Sequence, residues 1–444
     1  MSEFEYPRLL LSDSKGRIFD HPDLKLAGRS GGRFAVPLSD ELVSLPLGSQ
    51  LFSMPGRSPV GWDHRRDSFV SSEKVWAGKK EMECTAVAAF LPPGYIRTLL
   101  PATQLKSKGP TLPLWAYSAA GWKDGRFWAT GLLIDPDPHW NPGCFQNDRL
   151  LKRKVRSFLK RNATNRLFRQ LARCALEYHC FAAKNLFFKR WECPLPTAPA
   201  CNADCLGCIS LQPSGSCPAS QERIDFVPTV EEVLGVALPH LETAEDAIVS
   251  FGQGCEGEPL MQWRLLEASV QKMREKTSRG TIHLNTNGSL PERVKRLCEA
   301  GLDSLRVTLN SARSPFYRRY HRPRGYTFND VVQSLVLAKE KGVFTSINLL
   351  VFPGFTDRER EIEGLIQLIR KTDLNLIQMR NLNIDPDLYL RTMGEGDGVG
   401  ISKMIGLLRQ EFPSLQFGYF NRTKESFFKG LTAESQRTQK RESV

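Results

Sequence analysis

Three cysteines, Cys201, Cys205 and Cys208, stand in one run, Cys-Asn-Ala-Asp-Cys-Leu-Gly-Cys. Thiols at this Cys-x₃-Cys-x₂-Cys spacing can turn from a loop onto a single small metal centre, and each gives up its proton once a metal is bound. Two chemistries suit the trio. A structural zinc wants four protein ligands. The fourth would have to come from Cys217, Cys193, Cys255 or a distant histidine, and none of these completes a second Cys-x₂-Cys half-site. An iron–sulfur cube held by three cysteines leaves one iron open, and an open iron is a place where a reaction can be run.

Further polar groups follow at intervals. Gly252-Gln253-Gly254-Cys255-Glu256-Gly257-Glu258-Pro259 combines glycines, which let backbone approach a ligand closely, with a carboxylate able to accept hydrogen bonds from an ammonium group. Leu284-Asn285-Thr286-Asn287-Gly288 offers hydroxyl and amide groups at a turn, and Thr308-Leu309-Asn310-Ser311 does the same farther on. Asn348 sits inside the apolar run Ser346–Val351, where it must find buried partners, either by tying neighbouring strands together or by facing a ligand. Arg380 closes another apolar run and is read equally as an anion contact or a structural ion pair.

These motifs need elements to carry them. From Trp191 onward, apolar runs alternate with amphipathic stretches, the pattern of parallel βαβ units. Strands are predicted near 194–199, 246–251, 281–285, 304–309, 344–351 and 374–380, and helices near 229–240, 260–276, 291–300, 327–341, 357–371 and 401–411. Six such units make an α/β fold, a partial (β/α)₆ TIM-like barrel, and parallel barrels collect their reactive groups at the carboxyl ends of the strands. Each motif above follows one of those ends.

In that order, the motifs resemble the radical S-adenosylmethionine (SAM) superfamily, whose signature is a Cys-x₃-Cys-x₂-Cys loop after the first barrel strand. The resemblance covers roughly residues 190–390. It implies that Cys201, Cys205 and Cys208 hold a [4Fe–4S] cluster. Gly257, Glu258 and Pro259 then correspond to the Gly-Gly-Glu-Pro element that meets the methionine amino group, and Thr286, Asn287, Asn310 and Asn348 are further SAM contacts. The chain departs from the pattern at Gly207, where the family usually has an aromatic residue, and at Glu256, where a first glycine is common. The implied activity is reductive cleavage of SAM to a 5′-deoxyadenosyl radical that abstracts hydrogen from an unidentified substrate, with electrons from a low-potential donor such as a flavodoxin or ferredoxin. No residue is assigned a catalytic role beyond cofactor binding. The absence of cysteine after Cys298 argues against a cysteine-rich C-terminal extension for auxiliary clusters and, with no terminal Gly-Gly, against a molybdopterin-precursor enzyme. Cys255 is the candidate for a second functional thiol.

The chain has 444 residues, 41% of them hydrophobic, enough for two or three domains with sizeable cores. Residues 1–145 read as a β-rich N-terminal domain, 146–190 as a basic amphipathic helical connector, 191–420 as the barrel and 421–444 as a mobile tail. In the first region a β-hairpin is predicted through Lys123-Asp124-Gly125, and Trp62, Trp76, Trp115, Trp122, Trp128 and Trp140 are read as core. His139 and Cys144 lie in the proline-rich stretch that follows and are minor metal candidates. The connector carries ten basic residues and no acid between Arg149 and Arg173. Together with the net charge of +13, that stripe is read as a solvated helix face or as a surface for a macromolecular substrate. A non-catalytic, metal- or Fe–S-containing nucleic-acid-binding protein is the alternative function. Eleven cysteines without a secretory signal, and no long apolar run, predict a cytoplasmic protein without membrane insertion.

Overall fold

The computed structural model describes residues 5–77, 80–212 and 217–428. Among these residues, seven parallel strands pair in chain order: Arg190–Pro194, Glu245–Phe251, Thr281–Thr286, Ser304–Leu309, Phe344–Val351, Leu376–Asn381 and Gln416–Gly418. They curl into a partial barrel. Val230–Thr243, Trp263–Lys276, Pro291–Glu299, Phe328–Glu340, Glu359–Thr372 and Ile401–Glu411 are its helices, all close to the predicted positions. Apolar faces drive the packing, with Val233, Val236 and Leu241 against Val249, Ile282 and Leu305 in one continuous core.

Four features differ from the sequence reading. The first strand is Arg190–Pro194 rather than 194–199, because Pro194, Pro196 and Pro199 cannot donate to a ladder and only Leu195 N–H continues it, to Ser250 O at 2.8 Å. Two short helices, Ser314–His321 and Pro386–Met393, interrupt expected loops, each opened by proline in its first turn. A seventh strand, Gln416–Gly418, extends the sheet. Residues 421–428 are packed rather than free: Asn421 is buried on Glu192 and Gln378, and Phe427 stacks on Phe344 at 4.3 Å. The rest of the expected tail, 429–444, lies outside the described residues.

Among the described residues, the N-terminal region holds a ten-stranded antiparallel sheet and three smaller ones. Its central hairpin joins Ser118–Lys123 to Arg126–Thr130 through Asp124 and Gly125, with φ of 50° and 73°, the left-handed pair that a two-residue turn needs. Tryptophan is less buried here than predicted. Trp76 and Trp115 are exposed (68% and 39%) and the other four are half-buried, with Trp62, Trp122 and Trp128 each packed against a small separate cluster.

The connector forms Asp148–Arg161, Arg166–Leu176 and Phe181–Phe188, the first two capped by Asn147 and Asn165. Leu151, Val155, Leu167, Phe168 and Leu171 belong to the same core as the barrel. Part of the basic stripe is spent on carboxylates: Arg166 grips Glu232 with two bonds of 2.8 and 2.7 Å, and Arg173 meets Glu177 and Glu222. Arg149, Lys152, Arg153 and Arg156 line an outer groove.

The N-terminal sheet roofs one side of the barrel mouth. Arg57 is buried against Asp385 and Asp387 at 2.7 and 3.1 Å, and Arg97 donates to Leu382 O at 2.8 Å. Gly31 N–H meets Pro353 O, and at Gly354 (φ +80°) an added Cβ would stand 1.7 Å from the Gly31 nitrogen, so the two backbones touch where only glycine fits.

Candidate active site

A cavity of ≈ 420 Å³ opens at the carboxyl ends of the barrel strands. Cys201, Cys205, Cys208, Gly257, Glu258, Pro259, Thr286, Asn287 and Asn348 all line it, together with Phe90, Leu91 and Ala116 of the N-terminal region. Asn310 does not. It is fully buried beside the cavity, its Nδ2 directed to Phe316 O and the Tyr389 hydroxyl, each at 3.4 Å. Arg380 lines the cavity, whereas His139 and Cys144 lie away from it. Cys255 is buried behind the site in the barrel core.

The cysteine loop is held by the strands around it. Thr197 N–H, Thr197 Oγ1 and Ala198 N–H donate to Glu256 Oε2 at 2.7 to 3.0 Å, while Gly252 and Gln253 N–H donate to Oε1 at 2.6 and 3.2 Å. Burial pushes the Glu256 carboxyl up to about 7 while its hydrogen bonds pull it down. Four of the five donors are backbone N–H groups, which cannot accept a bond from a protonated carboxyl, so the hydrogen bonding favours the ionised form against the effect of burial. The position where a first glycine was expected therefore holds a clamp between the cysteine loop and the next strand. Gly257 N–H then reaches Ala198 O at 2.6 Å, and a Cβ there would stand 2.1 Å from Ala200 O.

Glu258 is also turned inward. Its Oε1 accepts from Leu260 N–H and Thr286 Oγ1 at 3.0 and 2.5 Å, and its Oε2 from Asn287 N–H at 2.7 Å. Burial pushes it up to about 7. Three of roughly four acceptor directions are used, which leaves one on Oε2 for an outside donor. Asn287 Nδ2 in turn bonds Asn202 Oδ1 at 2.8 Å, so the third-strand turn is tied to the cysteine loop itself.

Around the sulfurs, Cys205 Sγ lies 3.3 Å from His321 Nδ1, and Arg223 Nη2 lies 3.6 Å from Cys208 Sγ. Burial raises the Cys201 thiol to about 11 and Cys205 well above the usual range, with the neighbouring cysteines adding to the effect. Gly207 is explained by Tyr320: a Cβ would meet its hydroxyl at 2.8 Å, so a buried tyrosine from the helix Ser314–His321 fills the space beside the loop. His321, Arg223, Tyr320 and Asn202 carry no pattern that distinguishes them in sequence, because long-range folding brings three of them to the loop.

The residues present fit the cluster and SAM. Three sulfurs from one loop face one cavity, and no fourth protein thiol lines it among the described residues. Asn348 donates through Nδ2 to Thr308 Oγ1 at 3.2 Å, while its Oδ1 is buried without a partner at the cavity wall, the state of an acceptor awaiting a hydroxyl or amine donor.

Residues 195–366 match the family described as Radical SAM superfamily. Over 160 residues the chain is 34% identical to GTP 3′,8-cyclase of Aquifex aeolicus (strain VF5), covering 35% of this chain and 47% of that protein. It is 24% identical to the FeMo cofactor biosynthesis protein NifB of Klebsiella pneumoniae over 177 residues, 37% of each chain. Among solved structures, Streptococcus suis SuiB bound to S-adenosylmethionine matches with a TM-score of 0.37 at 13% identity, covering 58% of this chain and 55% of that one. The chain thus spans less than half the length of these curated relatives. No helix among the described residues is long and apolar enough to cross a membrane. Residues 195–366, which carry the cysteine loop, are thus a domain of the radical SAM superfamily, whose enzymes use a [4Fe–4S] cluster and S-adenosylmethionine.

Proposed function

We propose that the chain generates a radical from SAM and uses it to abstract hydrogen from a substrate held in the cavity under the N-terminal sheet. The observation that carries this reading is the convergence of Cys201, Cys205 and Cys208 on the cavity that the Gly257–Pro259 turn and Asn348 also line. When bound, the cluster with SAM supplies one-electron reduction and, from it, hydrogen-atom abstraction. The protein's own part is positional. Cys201, Cys205 and Cys208 hold the cluster, and Arg223 beside Cys208 places a positive charge near it. The Gly257 backbone and the free Glu258 lone pair receive the amino-acid end of SAM, with Thr286 and Asn287 fixing that carboxylate's orientation. Asn348 and Thr308 offer polar contacts to the nucleoside end. Phe90, Leu91 and Ala116 cover the mouth and keep water from the reacting centre. A low-potential electron donor is a required partner, and the reducing conditions this demands suit a cytoplasmic setting.

The test is anaerobic reconstitution of the full chain with iron and sulfide, followed by addition of SAM and dithionite. Expected are close to four irons per chain, brown colour, and release of 5′-deoxyadenosine. The joint replacement C201A/C205A/C208A is expected to abolish all three. Stoichiometric zinc with no iron uptake, or iron retained by the triple variant, would overturn the reading.

A further inference from the structure

We propose that the deep end of the barrel interior is a binding site for a small organic anion, a carboxylate or phosphate joined to an apolar or aromatic body, with its charged group on Arg306 and Arg380. This deepens the function proposed above, because the bound anion would be the molecule on which the radical acts. The binding itself needs no cluster.

Arg306 lies in the fourth strand between Leu305 and Val307, which face the core, so the two-residue alternation turns Arg306 and Thr308 into the barrel. It is 7% exposed. Its Nη1 donates to Gln378 Oε1 and Asn421 Oδ1, both neutral, and its Nε is buried without a partner. Arg380, from the sixth strand, has no ion pair and no side-chain hydrogen bond among the described residues. Its guanidinium lies 4.1 Å from the centre of the Tyr419 ring and its Nε is likewise buried and unpartnered. The carboxylate whose charge reaches Arg306 is Glu192, and Glu192 Oε1 is already occupied by Ser250 Oγ, Gln253 Nε2 and Asn421 Nδ2 at 2.6 to 2.7 Å. Two guanidinium groups against one carboxylate leave a positive charge uncompensated in a buried place. Burial, and then the charge of Arg380, lower Arg306 to about 9. An unpaired interior charge is costly unless a ligand completes it, and a guanidinium fork matches a carboxylate or phosphate with two parallel bonds.

The shape agrees with a ligand larger than an ion. A second cavity of ≈ 450 Å³ shares Phe90, Gln253, Arg306 and Arg380 with the first, so the two arginines stand where the cavities meet. Its far walls are Trp140, Tyr178, Phe181 and Phe420, with Trp140 stacked on Phe420 at 5.1 Å and nearly parallel. A charged floor under aromatic walls, of the size of a small-molecule site, selects an anion with a flat or apolar body. The two cavities also give such a ligand a path to the cysteine loop.

The test uses the full chain, reconstituted and saturated with SAM, titrated calorimetrically with phenyl phosphate, benzoate and the neutral analogue benzyl alcohol. Expected is one saturable site for at least one of the two anions, with the neutral analogue at least tenfold weaker. The preferred anion identifies the charged group. R380Q is expected to weaken the anion at least tenfold, and R380K less than R380Q; because Arg306 is more deeply buried and its variants risk misfolding, Arg380 carries the test. Circular dichroism and a thermal melt of each variant confirm that it is folded. The same titration on C201A/C205A/C208A is expected to retain anion binding. Absence of saturable binding in a chain that holds iron and SAM would overturn this proposal and leave the proposed function standing. Binding that survives in a chain that takes up neither would support it while the proposed function falls. Equal affinity for benzyl alcohol, or an equal loss of SAM and anion affinity in R380Q, would also overturn it, the latter by assigning Arg380 to the SAM carboxylate.

Discussion

Five donors on the Glu256 carboxylate make it the most heavily bonded acid of the site. Replacing one oxygen by an amide NH₂ turns an acceptor into a donor facing donors, so E256Q is expected to lower unfolding free energy by on the order of 3 kcal/mol and to loosen the cysteine loop. A denaturant titration checks the first, and iron retained per chain after gel filtration the second. Gly257 has no room for a methyl group against Ala200 O. G257A is therefore expected to cost about 1–3 kcal/mol, as overpacking does, and to weaken SAM at least tenfold by equilibrium dialysis. Gly406, on the helix Ile401–Glu411 with open space around it, is the control. G406A should be neutral or more stable by up to about 1 kcal/mol. At this scale the sequence showed which residue types gather at the strand ends but not their division of labour. Gly-Glu-Pro spacing made Glu258 a candidate ligand contact, yet nothing in it tells that Glu256 is a clamp or that Glu258 has one lone pair left. Arg306 was legible in principle as a charged residue within an apolar strand and in phase with Thr308.

The helix Pro386–Met393 shows how an element can join two parts of the chain. Asp385 caps it, accepting from Asp387 and Leu388 N–H at 2.8 and 3.2 Å, and its other oxygen takes Arg57 Nη2 and Leu112 N–H from the N-terminal region. Removing Asp385 takes away the shorter of Arg57's two carboxylate contacts, the acceptor of Leu112 N–H and the helix cap together, so D385A is expected to destabilise by about 3–5 kcal/mol, read from the denaturation midpoint at constant slope. Long elements were legible because their apolar periodicity is strong; the helix Phe328–Glu340 even announces itself by Thr327 and Asp330, which form its capping box. The short ones were not, since a helix of eight residues such as Ser314–His321 is held by tertiary packing of Tyr317 and Tyr320 rather than by its own pattern. The same holds for Gln416–Gly418, a three-residue strand that exists only because the sixth strand offers it an edge.

On the scale of the molecule, burial holds His240 at about 4 and His283 at about 3, so both are neutral in the fold. Unfolded imidazoles take a proton near pH 6.5, so from there downward the unfolded chain binds more protons and stability falls with falling pH. Between pH 6.5 and 5 each histidine is expected to contribute a loss on the order of 2 kcal/mol, and H240Q should flatten part of that slope in urea titrations. A β-rich N-terminal region and a parallel barrel were legible from composition and texture. That the two share walls was not, because contacts such as Arg57 with Asp385 join residues far apart in the chain. The same contact governs how the protein can be taken apart. A fragment cut off before the barrel would carry a guanidinium with nothing to neutralise it. The complementary fragment would keep two acids, Asp385 and Asp387, on a raw surface that also bares Leu382 and Pro353. Dissection at the visible boundaries should then give aggregation rather than two working halves, and gene fusions or tags belong at the outer groove of the connector instead.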